Sequence, residues 1–210
     1  MPALSIKFQF NVESEIERVL QTLKSSAWLI ENNYRFLLPI EIKGVKNISE
    51  QAIIKAVETE YDPTNYQIAA EAILKSWKGN CEQVKRINQK MVDSYPLDKI
   101  IVRLTKYGTQ GSYQLPNSMI VNISNIPPEF LIKTVIHESL HLMIENLIKK
   151  YAVTHWVKER IVDLIMDLEY QSRFKMQPLP DWTLAVDLVF KENYPNLIPI
   201  MEKAARLSPN

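Results

Sequence analysis

The sequence is poor in cysteine, glycine and histidine, and it lacks long apolar runs. A single cysteine, Cys81, excludes an intrachain disulfide and favours a reducing compartment. The first twenty residues lack the basic start and apolar core of a secretion signal, and no run is long enough to cross a bilayer. We therefore expect a cytoplasmic protein that does not use a membrane as its partner.

The four glycines match no phosphate-binding loop and no nucleophile elbow of a serine hydrolase. An excess of charge of either sign is also missing, because 25 basic and 24 acidic residues leave a net charge of +1. No nucleic-acid partner is indicated, since backbone phosphates attract proteins with strongly basic surfaces. A hydrophobic content of 46% is that of an ordinary globular protein.

Hydrophobic spacing divides the chain into a mainly helical region, 1–96, and a region of strands and helices, 97–210, which together form one compact unit. In the first region we predict a strand at 4–10, helices at 12–30, 48–61, 62–80 and 81–96, and an extended segment at 34–45. In the second we predict strands at 98–108 and 118–124, joined as a hairpin by a long loop, and helices at 128–150, 154–175 and 181–191.

The helix predicted at 128–150 contains the sequence HESLH, which places His137 and His141 four residues apart on one helix face. Two imidazoles in this position can bind one metal ion. Glu138 lies about 100° round the helix, so it can flank the metal and take a proton from water that zinc has made acidic. The alternative is a chance match on a solvated helix. The apolar flanks TVI and LMIENLI disfavour it, because unpartnered polar groups in a core helix are costly.

A catalytic zinc ion usually has three protein ligands. The pattern HExxHxxGxxH is excluded, because Ile144 and Leu147 replace its glycine and third histidine. Glu159 remains, on a second helix that a short connection would place antiparallel to the first. Asp163 would then accept a hydrogen bond from a ligand histidine. The alternative is that a stripe of His155, Glu159, Asp163 and Asp167 forms the solvent face of this helix.

HESLH followed by ERIVD resembles the gluzincin metallopeptidases of the thermolysin-like clan, in the compact minigluzincin form, over about Asp98 to Lys175. The resemblance implies that His137, His141 and Glu159 bind one zinc ion and that Glu138 activates water. It also implies that Asp163 does not bind the zinc itself but accepts a hydrogen bond from a zinc-bound histidine. It also implies that a strand lines the cleft and pairs with substrate, and 118–124 is placed to do so.

The sequence departs from the larger gluzincins because no histidine follows His155 to stabilise an oxyanion. His155 and Tyr151 are the candidate donors, with Tyr113 and Tyr170 as further tyrosines. His155 has two alternatives, since it could be a competing third ligand or a surface residue at a helix start.

These observations predict an α+β fold in which a small mixed or antiparallel sheet packs on an HExxH helix and an antiparallel glutamate helix, beside a helical N-terminal region. The predicted function is zinc-dependent hydrolysis of a peptide or protein substrate. The alternatives are a latent or non-catalytic zinc-binding protein that acts as an interaction module, with the apolar tail in the cleft, and a helical interaction module without a metal.

Overall fold

A computed structural model describes residues 4–45, 47–124 and 126–207. It confirms a mixed α+β fold. The strands are β1 (Ser5–Gln9), β2 (Lys99–Thr105), β3 (Gly111–Gln114) and β4 (Ser118–Asn122). The α-helices are α1 (Val12–Lys24), α2 (Ser26–Glu31), α3 (Glu50–Glu60), α4 (Pro63–Lys90), α5 (Leu131–Lys150), α6 (His155–Glu169), α7 (Ala185–Asn193) and α8 (Leu197–Ala204). Short 3-10 helices lie at Ile40–Ile42, Pro128–Phe130, Asp181–Leu184 and Ala205–Leu207.

The four strands form one mixed sheet in the order β1-β2-β4-β3. The central pairs, β1 with β2 and β2 with β4, are parallel, whereas β3 is antiparallel to β4. The predicted hairpin between 98–108 and 118–124 is therefore wrong, because β3 occupies the connection and reverses the chain between them. The sheet takes β1 from the first sequence region and the other three strands from the second.

Helix α4 is a single helix, although Gly79 predicts a break between 62–80 and 81–96. Its buried side chains continue past the glycine at intervals of three or four residues: Tyr66, Ala69, Ala70, Ile73, Trp77, Asn80, Val84 and Ile87. A methyl group on Gly79 would meet no atom within 4 Å, so the glycine faces open space. Burial of one continuous face outweighs the cost of about 1 kcal/mol for a helical glycine.

Other predicted boundaries also differ from the structure. Helix α4 ends at Lys90 rather than at 96. The helix predicted at 12–30 is divided at Ser25 into α1 and α2, and the extended segment at 34–45 contains a 3-10 turn at Ile40–Ile42. Helix α6 ends at Glu169 rather than near 175, because the chain turns through left-handed backbone at Gln171 and Ser172.

Helix α5 lies in the centre of the main core, which explains why its apolar residues occupy all sides. It contacts β3, β4, α4, α6 and α8. The C-terminal helices complete the same core through buried Val186, Phe190, Leu197 and Ile200. Among the described helices, none is both long and apolar enough to cross a membrane.

A buried carboxylate attaches α1 to the end of β2. Glu15 has no exposed surface and accepts hydrogen bonds from the hydroxyls of Tyr66 and Thr105 and from the Lys106 backbone amide, the last at 2.8 Å. Burial raises the pKa of Glu15, and these hydrogen bonds act in the opposite direction. The carboxylate thus satisfies three donors that would otherwise be buried without an acceptor.

Replacing Glu15 by alanine is expected to lower the free energy of unfolding by about 2 kcal/mol, because three donors lose their acceptor. Urea denaturation of Glu15→Ala measures the effect. The matched control is Glu17→Ala, an exposed residue on the same helix. Equal stability of the two variants would show that the Glu15 bonds add nothing to the fold.

Candidate metal centre

Helix α5 and helix α6 bring the predicted site residues together. A connection of four residues, 151–154, joins the helices, which pack against each other. His141 lies beside Glu159, and His137 lies beside both Glu159 and Asp163, so the helices run in opposite directions. Glu159 is 7% exposed and Asp163 is 2% exposed, which excludes the interpretation of these two residues as part of a solvent face.

Three side chains with metal-ligand atoms converge at this point. The Nε2 atoms of His137 and His141 are 3.0 Å apart, and they lie 3.2 and 3.4 Å from the Oε2 and Oε1 atoms of Glu159, respectively. A tetrahedral zinc site with bonds of about 2.0–2.1 Å has ligand atoms about 3.3 Å apart. The spacing therefore fits a small cation, and His137, His141 and Glu159 could hold one.

A second set of polar groups surrounds these three side chains. The Oδ1 atom of Asp163 is 3.8 Å from Nδ1 of His137, the ring nitrogen turned away from the cluster, which is longer than a hydrogen bond. Gln177 donates from its backbone amide to Asp163 and from Nε2 to Glu159, both at 3.0 Å. Gln177 was missed in the sequence, because it lies in an irregular segment where no periodic pattern marks it.

Burial and the charges of the cluster control its protonation. Burial raises the pKa of the Glu138 carboxyl to about 7, with a smaller contribution from Glu159. Burial lowers the pKa of His141 to about 4. Burial also raises the pKa of Glu159, but the neighbouring histidines outweigh it and hold that pKa below its usual range. Burial likewise opposes the charged form of His137, but the hydrogen bond to Glu159 and the nearby carboxylates raise its pKa.

The cluster lies in the wall of a cavity of about 720 Å³. Residues from both sequence regions form the rest of the wall, including Arg18 of α1, Tyr34 after α2, and Gly111 and Tyr113 of β3. Of the described residues after Gln177, none lines this cavity. The interpretation of the tail as a segment that fills the cleft is therefore wrong for residues 178–207, which pack elsewhere in the core.

Tyr113 covers one of the two clustered histidines, His141. Its ring stacks on the ring of His141 with 4.8 Å between centroids and an interplanar angle of 10°. Its hydroxyl donates to Glu145 at 2.5 Å and accepts from Lys158 at 2.9 Å. These contacts fix the orientation of the His141 ring from the side of the sheet.

His155 also lines the cavity, where its Nε2 atom shares a hydrogen bond with the hydroxyl of Tyr34. Its Nδ1 atom is 3.9 Å from Glu159, and it is not one of the three residues whose ligand atoms converge. The ring packs edge-on against Trp28 and Trp156, which is unlike a free surface residue. Tyr34 was missed in the sequence, because it lies 121 residues from His155 and carries no motif.

Tyr151 and Tyr170, the other two tyrosines considered as hydrogen-bond donors to an oxyanion, do not line the cavity. Tyr151 lines a separate, smaller cavity with Glu202, Ala205 and Arg206. Tyr170 packs against Phe174 at the end of α6, and its buried hydroxyl has no hydrogen-bond partner among the described residues. The structure thus brings His155 to the site and leaves Tyr151 and Tyr170 outside it.

The strand beside the cluster is β3, not the predicted 118–124 segment. β4 is paired on both sides, with β2 and with β3, so it has no free edge for a substrate. β3 has only one strand neighbour among the described residues. A Cβ atom built on Gly111 would lie 2.8 Å from Thr134 and closer still to Oε1 of Glu138, so the strand backbone directly faces this carboxylate.

Comparison of the chain with protein-family models, with curated proteins and with solved structures gives no match.

Proposed function

We propose that this protein is a zinc-dependent metallopeptidase of the gluzincin type. The observation that carries the proposal is the convergence of His137, His141 and Glu159 in the wall of a large cavity, where Glu138 faces the backbone of Gly111 in β3. Two histidines and a glutamate form one of the ligand sets of catalytic zinc.

Zinc held by these residues would supply Lewis acidity toward water and toward a carbonyl oxygen. Calcium and magnesium fit less well, because both prefer sets of oxygen ligands. Gln177 would hold the Glu159 carboxylate through its hydrogen bond of 3.0 Å, and Tyr113 would hold the His141 ring by stacking. These contacts would keep the ligands oriented.

Glu138 is proposed as the general base. Its carboxylate would accept a proton from the attacking water and give it to the leaving amine nitrogen. Because burial leaves it only 6% exposed, bulk water competes little for its oxygens. The neighbouring strand β3 would bind an extended peptide along its free edge and would place the carbonyl of the scissile bond beside Glu138.

Tyr34 and His155 are proposed as the oxyanion donors in place of the missing downstream histidine. Both line the cavity, they hydrogen-bond to each other, and His155 is 3.9 Å from Glu159. A phenol and an imidazole can each donate a hydrogen bond to a developing negative charge.

The proposal is tested by metal content and hydrolysis together. Elemental analysis of the purified chain is expected to give about one zinc ion per chain, and His137→Ala is expected to lose most of it. Mass spectrometry of a peptide library should detect cleavage that 1,10-phenanthroline stops and added zinc restores. Zinc well below one ion per chain would contradict the metal assignment. A zinc-loaded chain that cleaves no peptide would favour the non-catalytic alternative.

A further inference from the structure

Arg18 is a cation in the cavity wall whose partners are uncharged. Its Nε atom donates to the carbonyl of Tyr107 at 3.4 Å, and its Nη2 atom donates to the Thr109 hydroxyl at 3.1 Å. The guanidinium lies over Gly108, a glycine with φ +76°, where a methyl group would overlap it. The backbone before β3 is therefore shaped to receive this side chain.

Among the described residues no carboxylate forms an ion pair with Arg18. Glu15, one helical turn earlier, is already bound by Tyr66, Thr105 and Lys106. Arg160 is different, because Asp187 binds it through two hydrogen bonds of 2.7 and 2.5 Å. Glu15 and Glu138 attract the guanidinium from a distance without pairing with it. A half-buried guanidinium without a direct ion pair carries a desolvation cost that an anionic ligand would offset further.

Short contacts connect Arg18 to Glu138. The Thr109 hydroxyl that accepts from Arg18 donates to the carbonyl of Gly111 at 3.1 Å, and Gly111 faces Glu138. The guanidinium therefore lies beside the first residue of the free strand. A peptide paired with β3 would extend past it when its reacting carbonyl is at Glu138.

We propose that Arg18 binds a carboxylate of the peptide substrate and thereby determines specificity, an inference that rests on the proposed peptidase function. The planar guanidinium matches a carboxylate through paired N–H donors. That carboxylate is either an aspartate or glutamate side chain close to the scissile bond or the C-terminal carboxylate of the peptide.

The experiment uses three forms of one peptide found to be cleaved by the chain. One form has glutamate beside the scissile bond and an amidated C-terminus, the second has glutamine and a free C-terminus, and the third has glutamine and an amide. The parent chain is expected to prefer one of the carboxylate forms over the third by about tenfold in kcat/KM. In Arg18→Gln this ratio should fall to about one, and in Arg18→Lys it should be intermediate.

The matched control is Arg86→Gln, an exposed arginine of α4 outside the cavity, which should leave the ratio unchanged. Thermal unfolding checks that each variant is folded. The preferred form identifies the source of the carboxylate. An unchanged ratio in folded Arg18→Gln, or equal cleavage of all three forms by the parent chain, would overturn the role of Arg18 and leave the peptidase proposal standing.

The same peptides are also titrated calorimetrically into Glu138→Gln, with and without Arg18→Gln. Tighter binding of a carboxylate form only when Arg18 is present supports the inference. If the parent chain cleaves none of the library, the peptidase proposal fails, and three pentapeptides serve as the probes: a glutamate peptide with an amidated C-terminus, its glutamine analogue with a free C-terminus, and the glutamine analogue with an amide. Equal binding of these three, or no binding, would overturn the Arg18 inference.

Discussion

Replacing Glu138 by glutamine is expected to lower kcat/KM for peptide hydrolysis by about 10³-fold while zinc content stays at about one ion per chain. Glutamine has the shape of glutamate but cannot take a proton from water, and loss of a general base typically costs 10²–10⁴-fold. The ligand atoms of His137, His141 and Glu159 remain, so metal binding is retained. Steady-state kinetics and elemental analysis on the same preparation measure both effects.

Glu192→Gln makes the same chemical change on the exposed surface of α7 and serves as the control, with activity expected at the parent level. Hydrolysis by Glu138→Gln at more than a tenth of the parent rate would contradict the role of Glu138. Loss of zinc together with activity would instead indicate that Glu138 supports the metal ligands.

Replacing Gly111 by alanine is expected to lower kcat/KM by about 10²-fold in a protein that still folds and still binds zinc. The new methyl group would occupy the space of the Glu138 carboxylate and lie 2.8 Å from Thr134. Glu138 would have to rotate away, and a displacement of about 1 Å in a reacting group can cost about 10²-fold. Steady-state kinetics measures kcat/KM, elemental analysis measures the zinc content, and thermal unfolding shows whether the variant is folded.

Gly79→Ala is the matched control, since a methyl group there meets no atom within 4 Å. It should leave hydrolysis unchanged and raise stability by up to about 1 kcal/mol, because alanine is the better helix former. Parent-level activity of Gly111→Ala would show that Glu138 does not need its present position against β3.

The cluster of ligand atoms was predictable from the sequence because its geometry is local. Two histidines four residues apart share a helix face whatever the rest of the fold does. A short connection between two apolar helices then returns Glu159 to the level of His141. Burial of His141 and Glu159 followed from their apolar flanks. The metal role and the hydrolytic role stay predictions until zinc and cleavage are measured.

The free strand was not predictable in the same way. β3 has the sequence GSYQ, which has no alternation of apolar and polar residues, and its first residue, Gly111, together with Gly108 suggests a loop. It becomes a strand only because β4 offers it hydrogen-bond partners. Strand order depends on such distant pairings, so the interior β4 was mistaken for the strand beside the cleft.

Arg18, Tyr34 and Gln177 were also missed, for a related reason. Each reaches the cavity from an element far from HESLH in the chain, and none belongs to a pattern with a fixed spacing. In addition, the role of Gly79 was overestimated, because a glycine on an exposed helix face does not end a helix whose opposite face is buried.

Glu15 and Arg18 are one turn apart on α1. The contacts that would position the substrate-binding arginine are therefore different from the contacts that position the proposed catalytic residues. The hydrogen bonds of Glu15 to Tyr66, Thr105 and Lys106 immobilise the turn that carries the guanidinium, and none of them involves a metal ligand. The part of the cavity wall that would bind a peptide carboxylate is thus preorganised by a buried carboxylate of α1, independently of the residues that α5 and α6 contribute to the histidine and glutamate cluster. If the chain binds zinc and cleaves peptides as proposed, removal of the zinc should therefore abolish cleavage and leave the preference for peptides that carry a carboxylate.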